Sequence, residues 1–473
     1  MRVVRLLKSR PALSCMLWVA LCFFLTSTVY MSWVRHLIAQ QGGGAADMLS
    51  MVAGYTLQAA GLALAALRLK RRPDADHRQP FILVLLLFTA CAAPALISRT
   101  AAGAIAFGLL MNLFCGAIAG YYLYTLAILP EPDCRGVAFG GGYGIATVAL
   151  GVLALPGGGI ILQGSGALLG CVPLALVAAF IASRLPAPHP QETTERPLEL
   201  PGRELALACA TAVLLSLVKN LGFGFPSADI ESGLKPELSR MFYAVGLVAA
   251  GFINDRSRKN GAICTATALI IPFIMLGLAG ETVSSFICWG LDYLFYGFFS
   301  VYRVVLFLDL AARSRRWELA PLGLLFGRLG DAAGTALCNL FADSKIALIA
   351  ITAALFMLTV FLFYRLCLWL YAPKVIRQRS EQEVFDGFSL QHDLSTREQE
   401  VLRLLLARRS NGEIAEALFV SESTVKYHVH NLLQKTGCKN RSDLQKKYAL
   451  ALYPHLEGSA ELPEAAAVGE AEA

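Results

Sequence analysis

The sequence is poor in charged residues. Asp, Glu, Lys and Arg make up 16% of its 473 residues, whereas hydrophobic residues make up 56%. A soluble globular chain usually carries roughly 25% charged residues, so this composition is typical of a membrane protein. The shortage is uneven, because residues 11–372 are mostly apolar and residues 374–447 are rich in Lys, Arg, Glu and Asp. This step in charge predicts a large lipid-embedded domain followed by a small soluble one.

The sequence also lacks the residue spacings of the common catalytic and metal sites. Its 12 cysteines include no C-x-x-C pair and lie mostly inside apolar runs, which indicates reduced, packed thiols rather than zinc ligands or disulfides. We find no Ser/His/Asp, metal-binding or nucleotide-binding constellation, and the segments GGGYG and PGGGI lack the context of a phosphate loop. We therefore predict no enzyme activity, no metal and no cofactor, with a membrane enzyme as the weakest alternative.

Apolar runs long enough to cross a bilayer core of about 30 Å occur in two groups of six. The first run is too long for the apolar part of a signal peptide and lacks a cleavage site of small residues. The polar segment SRLPAPHPQETTERPLELPGRE separates the two groups. The predicted spans lie at about 11–34, 45–67, 80–98, 101–129, 136–155, 159–182, 204–221, 238–254, 261–279, 282–310, 318–340 and 345–371.

The distribution of basic residues supports an even number of spans. If the N-terminus is cytoplasmic, the cytoplasmic segments hold 22 Lys and Arg residues and the segments on the other side hold 5. Cytoplasmic loops of membrane proteins carry this excess. We predict a multi-pass protein of the cell inner (cytoplasmic) membrane with both termini in the cytoplasm.

One loop carries the motif of a known family. The segment GFINDRSRKNG, between the eighth and ninth predicted spans, contains Gly251, Asp255, Arg256, Arg258 and Lys259. Together with the six-plus-six arrangement, it resembles the major facilitator superfamily, whose G-x-x-x-D-R loop signature these residues follow. The corresponding loop after the second span keeps its basic residues but loses the Gly-x-x-x-Asp frame. Another polytopic bundle is the alternative, because topology alone also requires a basic loop.

Charged residues occur inside the predicted spans of the second half. A charge near the bilayer centre costs about 3 kcal/mol on insertion scales, so it marks a candidate functional site. Span ten contains Asp292 and Arg303 near one face and is rich in aromatic residues. Span eleven contains Arg328 and Asp331, which are three positions apart and can pair. Lys219 lies near the outer end of span seven, where its stem can reach the interface.

An apolar, aromatic cavity with a few convergent charges is typical of a small-molecule site. We therefore predict that the second half contributes the ligand site. The candidate ligand-binding residues are Asp292, Tyr293, Tyr296, Arg303, Arg328 and Asp331. The alternative is that the charges form structural pairs between helices and that the aromatic side chains face lipid.

Residues 394–452 predict four short helices. An S-x-x-E capping box at Ser395 opens the first helix, and Ser421 can cap the third. The preceding residues 373–393 are predicted to be a linker. The final residues 453–473 are acidic and lack a core pattern, so we predict a disordered tail.

The third of these helices has a face suited to DNA. Val425 and Leu432 lie on its apolar side at helical spacing, whereas Tyr427 and His430 lie on the opposite side with Lys426 on one flank. Two helices joined by a tight turn, the second with a polar outer face and basic residues nearby, are typical of a helix-turn-helix. A small helical bundle with a solvated charged face is the alternative.

The segment LSTREQEVLRLLLARRSNGEIAEALFVSESTVKYHVHNLLQKTGCKNRSDL resembles the LuxR-type (GerE-like) DNA-binding domain. It matches the family motifs L-[ST]-x-R-E-x-E-V-L, N-x-E-I-A, S-x-x-T-V-K-x-H and K-x-G-x-x-N-R. The resemblance implies binding to double-stranded promoter DNA as a homodimer that pairs through the fourth helix. It also implies groove contacts from Lys426, Tyr427 and His430 and phosphate contacts from Thr424 and Lys435.

Two positions depart from the family pattern. Arg408 stands where the family has a glycine after the first helix, at a place where left-handed backbone is common. Gly412 stands where a basic residue usually opens the second helix, and this change removes a phosphate contact. We expect these departures to lower the DNA affinity without changing the fold.

These features predict an all-α chain, with about 12 spans in residues 1–372 arranged six plus six and a four-helix LuxR-type domain after them. The predicted function is a membrane-embedded, one-component transcriptional regulator of bacterial type. It would sense a small molecule through its spans, control transcription through its C-terminal domain, and have RNA polymerase as a further partner. The alternative is a major-facilitator-type transporter whose DNA-binding domain regulates its own expression.

Overall fold

The helices of this chain are known from a computed structural model that describes residues 9–42, 46, 48–153, 164–184, 197–222, 236–271, 285–341, 344–371 and 381–452. These residues form helices and turns, with no β-strand among them. The chain separates into two compact units, residues 1–372 and 373–473. The predicted acidic tail and the first part of the predicted linker, residues 373–380, lie outside the described residues.

Twelve helices of the first unit are described, and each overlaps one predicted span. They are α1 (Arg10–Gln41), α2 (Tyr55–Arg71, preceded by the π-helical segment Met48–Gly54), α3 (Arg78–Ile97), α4 (Ala101–Ile128), α5 (Arg135–Leu153), α6 (Gly164–Arg184), α7 (Gly202–Gly222), α8 (Pro236–Arg256), α9 (Arg258–Ala268), α10 (Ser285–Ser314), α11 (Leu322–Leu340) and α12 (Lys345–Tyr371). Within the described ranges, nine helices are long and apolar enough to cross a membrane.

The two halves of the first unit repeat one packing pattern. In the first half, α1 packs against α5 and α6, α2 against α4, and α3 against α4 and α6. In the second half, α7 packs against α11 and α12, α8 against α10, and α9 against α10 and α12. The halves meet where α5 packs against α8 and where α2 packs against α11. The predicted six-plus-six arrangement of helices is therefore confirmed as a repeat.

Glycines allow equivalent helix pairs of the two halves to approach closely. A Cβ added at Gly116 of α4 would lie 1.9 Å from the Gln58 carbonyl oxygen of α2. A Cβ added at Gly246 of α8 would likewise lie 1.9 Å from the Leu294 carbonyl oxygen of α10. Membrane helices pack through small residues because lipid gives them no hydrophobic drive to associate.

The second unit has a core of its own. Its helices are α13 (Glu381–Gln391), α14 (Thr396–Leu406), α15 (Asn411–Leu418), α16 (Glu422–Thr436) and α17 (Arg441–Leu452). The predicted capping box is present, because Ser395 and Glu398 each bind the backbone N–H of the other. Ser410 and Glu413 form a second capping box at the start of α15, and Ser421 caps α16 as predicted.

The predicted linker 373–393 is too long, because α13 occupies its second half. Phe385 and Phe388 of α13 are buried and contact the Tyr448 ring of α17 edge to face, with centroid distances of 6.3 and 5.4 Å. The guanidinium carbon of Arg403 lies 4.0 Å from the Phe385 ring centroid. Such aromatic contacts stabilise beyond the area that they bury. The neighbouring charged residues make this stretch look like a linker, although its apolar stripe joins the core.

Candidate functional site

A cavity of about 150 Å³ lies between the two halves of the first unit. Helices α1, α2, α4 and α5 of the first half and α7, α8, α10 and α11 of the second half contribute to its walls. Its lining includes seven tyrosines, which are Tyr30, Tyr55, Tyr122, Tyr143, Tyr243, Tyr293 and Tyr296. Because both halves contribute, a relative movement of the halves would change the shape of the cavity.

Three of the six predicted ligand-binding residues line this cavity, namely Tyr293, Tyr296 and Arg328. The other three do not line it and are buried, with exposures of 3% for Asp292, 3% for Arg303 and 0% for Asp331. The two tyrosines of α10 therefore face the inside of the bundle. The ligand site is predicted in the second half alone, whereas the cavity is lined by both halves. The site itself stays a prediction.

The buried carboxylate of Asp331 is paired with Lys219. Its Oδ1 accepts a hydrogen bond from the Lys219 Nζ at 2.7 Å, and the Lys219 side chain is 1% exposed. The Nζ also lies 3.6 Å from the ring centroid of Tyr296. The prediction that Lys219 reaches the interface is wrong, because Asp331 compensates its charge inside the bundle.

Arg328 is loosely paired. The distance between its Nη1 and the Asp331 Oδ2 is 3.8 Å, which is longer than a hydrogen bond. Its guanidinium carbon lies 4.4 Å from the ring centroid of Tyr55. Its Nε has no hydrogen-bond partner in the part of the chain that the structure describes. Arg328 therefore places at the cavity wall a guanidinium group whose contact with a carboxylate is long.

Asp292 and Arg303 of α10 have different surroundings. Arg303 donates a hydrogen bond to the Ser216 Oγ. Its guanidinium packs on Gly327 so closely that a Cβ there would overlap it. Asp292 Oδ2 has no hydrogen-bond partner among the described residues. Neither side chain forms part of the cavity surface, so their influence on a ligand would be electrostatic.

A second polar cluster joins the halves at the ends of α5 and α8 that lie away from the cavity. Asp255 accepts hydrogen bonds from the backbone N–H groups of Gly136 at 2.8 Å and Val137 at 2.7 Å. Arg258 donates to Asp255 at 2.9 Å and to Asp309 at 2.7 Å. A carboxylate at the N-terminal amides of a helix is favoured by both hydrogen bonding and the helix dipole. We call these five residues the clamp.

Helix α16 exposes the residues that the LuxR-type resemblance implies as groove contacts. Val425 is fully buried, whereas Tyr427 is 62% exposed and His430 is also exposed. The Lys426 side chain is 63% exposed, and its Nζ lies 3.0 Å from Glu422 Oε1 one turn earlier. An exposed ion pair contributes little stability, so Lys426 can leave it for a phosphate or a base.

The two predicted phosphate contacts are engaged within the second unit. The Thr424 hydroxyl lies 2.8 Å from the Ser421 Oγ that caps α16. Lys435 Nζ donates to Glu398 Oε2 and to the Asp393 carbonyl oxygen, both at 2.8 Å. Lys435 therefore joins the end of α16 to the start of α14. The phosphate contacts of Thr424 and Lys435 stay predictions.

We expect Lys435→Met to destabilise the second unit by about 1–3 kcal/mol, because it leaves the buried Glu398 without its cation. Burial raises the pKa of Glu398, but hydrogen bonds from Lys435 and Ser395 lower it more, so the net pKa is below its ordinary value. The stability from this lowered pKa is present above the unfolded-state pKa and is lost as pH falls through the folded-state pKa.

Hydrogen exchange of the α14 and α16 amides in the full chain measures this loss at neutral pH. Lys446→Met, which removes an exposed lysine of α17, is the control. Equal amide protection in the two variants would contradict the prediction.

Three turn positions of the second unit hold non-glycine residues in left-handed backbone, and the first of them, Asp393 before α14, has a φ of 48°. Arg408, which replaces the family's glycine, has a φ of 59°. Phe419, between α15 and α16, has a φ of 53° and a side chain that is 95% exposed. This conformation costs of the order of 1 kcal/mol for a residue with a Cβ. The expectation that Arg408 must adopt it is confirmed.

We expect Gly412→Lys to raise the DNA affinity several-fold. A Cβ at Gly412 meets no atom within 4 Å, so the new side chain fits and restores the basic residue at the start of α15. One added phosphate contact makes the slope of log K against log salt steeper by about 0.9. Gly387→Lys is the matched control, because Gly387 also has open space and lies on α13. Equal slopes in the two variants would show that α15 does not approach the backbone.

The first-half wall of the cavity is not predicted from the sequence. Tyr293, Tyr296 and Arg328 are found because charges and aromatic residues occur together in the second half. Tyr30 and Tyr55 lie in spans that carry no charge near their centres, so nothing marks them as site residues. The positions of the tyrosines along all the spans are a signal from which Tyr30 and Tyr55 could have been predicted.

The second unit is similar to bacterial regulators. Residues 392–447 match the family described as bacterial regulatory proteins, luxR family. The chain is 51% identical over 49 residues to the CsgBAC operon transcriptional regulatory protein of Escherichia coli (strain K12), a match over 10% of this chain and 23% of that protein. It is 49% identical over 49 residues to the spore germination protein GerE of Bacillus subtilis (strain 168), over 10% and 66%. The chain thus spans about a quarter of the first relative.

The first unit is similar in fold to solved transporters. The human organic anion transporter MFSD10 (TETRAN) matches with a TM-score of 0.54 and 19% identity, over 75% of this chain and 99% of that one. The E. coli fucose:proton symporter FucP matches with a TM-score of 0.55 and 12% identity, over 75% and 98%. At these identities the likeness establishes the fold alone.

Proposed function

Because residues 392–447 belong to the luxR family of bacterial regulatory proteins and the first unit has a major-facilitator fold, we propose that the chain is a membrane-embedded, one-component transcriptional regulator. A small molecule binds the cavity and shifts the equilibrium between two arrangements of the halves. The ligand must bind these arrangements with different affinities. The observation that carries the proposal is a cavity walled by both halves in a chain that also exposes a DNA-reading helix.

The proposed location is the bacterial inner membrane, with both termini in the cytoplasm. The excess of basic residues in the predicted cytoplasmic segments supports this orientation, and it allows the second unit to reach the chromosome. The proposed partners are double-stranded promoter DNA, the ligand, the lipid bilayer, a second copy of the chain on DNA, and RNA polymerase.

We expect Lys426→Ala to weaken promoter binding by about 10-fold or more, the usual loss for one groove contact, and to remove the transcriptional response. Cells that express the full chain and cells that express residues 1–380 are each treated with a panel of small molecules. A promoter whose transcript level differs between the two is the regulated promoter. The variant is then compared at that promoter with Arg397→Ala, which removes an equally exposed, ion-paired cation of α14. A normal response from Lys426→Ala would contradict the DNA-binding role of α16.

A transporter that regulates its own expression is the second candidate, and the clamp favours it because it joins the two halves at one end of the bundle. The two candidates differ in flux. A transporter moves its substrate across the membrane even when only residues 1–380 are present, whereas a sensor binds its ligand without net transport. Uptake or efflux by that truncated chain in proteoliposomes would contradict the sensor hypothesis and support the transporter hypothesis.

A further inference from the structure

The buried charges near the cavity do not balance. In the described part of its surroundings there are three cations and two carboxylates, namely Lys219, Arg303, Arg328, Asp292 and Asp331. Lys219 already binds one oxygen of Asp331, and Arg303 donates to a hydroxyl group rather than to a carboxylate. Buried ions are costly unless an opposite charge accompanies them. Among the residues that the structure describes, one positive charge is therefore left over.

One of these three cations is at the cavity wall. Among the described residues that line the cavity, Arg328 is the one with a charged side chain. The nearest carboxylate contact, to Asp331, is 3.8 Å long, and the Arg328 side chain is only 14% exposed. A guanidinium presents several N–H donors in a planar fork that matches a carboxylate. Arg328 is thus placed to receive an anionic group from a bound molecule.

The size and the lining of the cavity restrict the remaining part of the bound ligand, beyond its anionic group. The volume is about 150 Å³, which is the size of an apolar cavity known to hold benzene. Drug-sized ligands need cavities of roughly 300–1,000 Å³. Tyrosine rings surround the space in the edge-to-face and stacked arrangements that aromatic groups prefer, as between Tyr243 and Tyr296 at 4.8 Å and between Tyr30 and Tyr55 at 6.0 Å.

We propose that the cavity binds a single-ring aromatic carboxylate. Its carboxylate accepts hydrogen bonds from Arg328, and its ring packs among the tyrosines of both halves. A cationic ligand would be repelled by Arg328, and a neutral ligand would leave the surplus charge uncompensated. This inference rests on the sensing function proposed above and adds the chemical class of the ligand to it.

The test is a calorimetric titration of the full chain in lipid nanodiscs with benzoate, phenylacetate, benzamide and benzylamine. We expect one or both carboxylates to bind about 10–100-fold more tightly than the amide and the amine, because a hydrogen bond between charged groups is lost in the other two. Tighter binding of the amide or the amine, or no binding of any probe at millimolar concentration, would overturn the proposal. This ranking needs no variant and so does not depend on the folding of one.

Variants then assign the contact to Arg328. We expect Arg328→Gln to reduce carboxylate affinity to that of benzamide, and Arg328→Lys to restore part of it, since an ammonium keeps the charge but loses the fork. Arg99→Gln, which removes an exposed arginine between α3 and α4, should leave the affinity unchanged. Unchanged carboxylate binding by a folded Arg328→Gln variant would overturn the assignment.

The outcomes separate this inference from the sensing function. If the carboxylates bind as expected but transcript profiles of treated cells do not change, the sensing function is wrong and the ligand class stands. If an amine changes the transcript profile and binds more tightly than the carboxylates, the sensing function stands and the ligand class is wrong.

Discussion

Lys219→Met is expected to destabilise the first unit by about 3–5 kcal/mol, the usual cost of removing one partner from a buried ion pair. Asp331 is 0% exposed and its Oδ1 accepts from Lys219 at 2.7 Å. Of the two other nearby cations, Arg328 is 3.8 Å from the second carboxylate oxygen and Arg303 donates to the Ser216 hydroxyl instead. The remaining carboxylate would therefore be buried without a close counter-ion.

The double variant Lys219→Met/Asp331→Leu separates the cost of an unpaired ion from the loss of the pair itself. Apolar side chains that replace both partners are often neutral or stabilising, so most of the lost stability should return. Unfolding of the full chain in detergent, followed by circular dichroism, measures both changes. Arg99→Met removes an exposed cation and is the control. Two results would contradict this role of the pair in holding α7 to α11. One is that Lys219→Met unfolds at the same midpoint as Arg99→Met, and the other is that the double variant is less stable than Lys219→Met.

The pairing of Lys219 with Asp331 also shows where sequence patterns stop being informative. Helix positions follow from local features, such as the apolar runs of the first unit and the capping box at Ser395, and these are confirmed. The choice of partner for Asp331 is a long-range property, because Arg328 lies one turn away while Lys219 lies 112 positions away. The local spacing favours Arg328, but the packing of α7 on α11 selects Lys219.

The same distinction applies to α13 and to the cavity. The stripe that contains Phe385 and Phe388 is visible in the sequence, but its partner Tyr448 is about 60 positions later and only the folded unit brings them together. The cavity is a surface between two halves, so its lining depends on how α2 meets α11 and α5 meets α8. The inner and outer faces of α16 could be predicted because they follow from helical periodicity alone.

Asp255→Ala is expected to open the clamp. The substitution removes the acceptor of two backbone N–H groups at the start of α5 and one of the two carboxylates that bind Arg258. The loss of a buried, hydrogen-bonded charge costs about 3–5 kcal/mol, and a change of this size shifts an equilibrium by roughly 100-fold or more. We therefore expect the halves to separate at this end of the bundle far more often than in the parent chain.

Cys134 provides the measurement, because it is 5% exposed and directly precedes α5. Its reaction with a membrane-permeant maleimide, followed by mass spectrometry of the full chain, should accelerate in Asp255→Ala. Asp76→Ala is the matched control, since Asp76 lies in the connection between α2 and α3 and pairs with Arg78 at the start of α3, in the same half of the unit. If the halves transmit the ligand signal, Asp255→Ala should also fix the transcriptional output in one state, with or without ligand. Equal labelling of Cys134 in the two variants would mean that the clamp does not hold the halves together, and that the movement proposed for signalling must begin elsewhere.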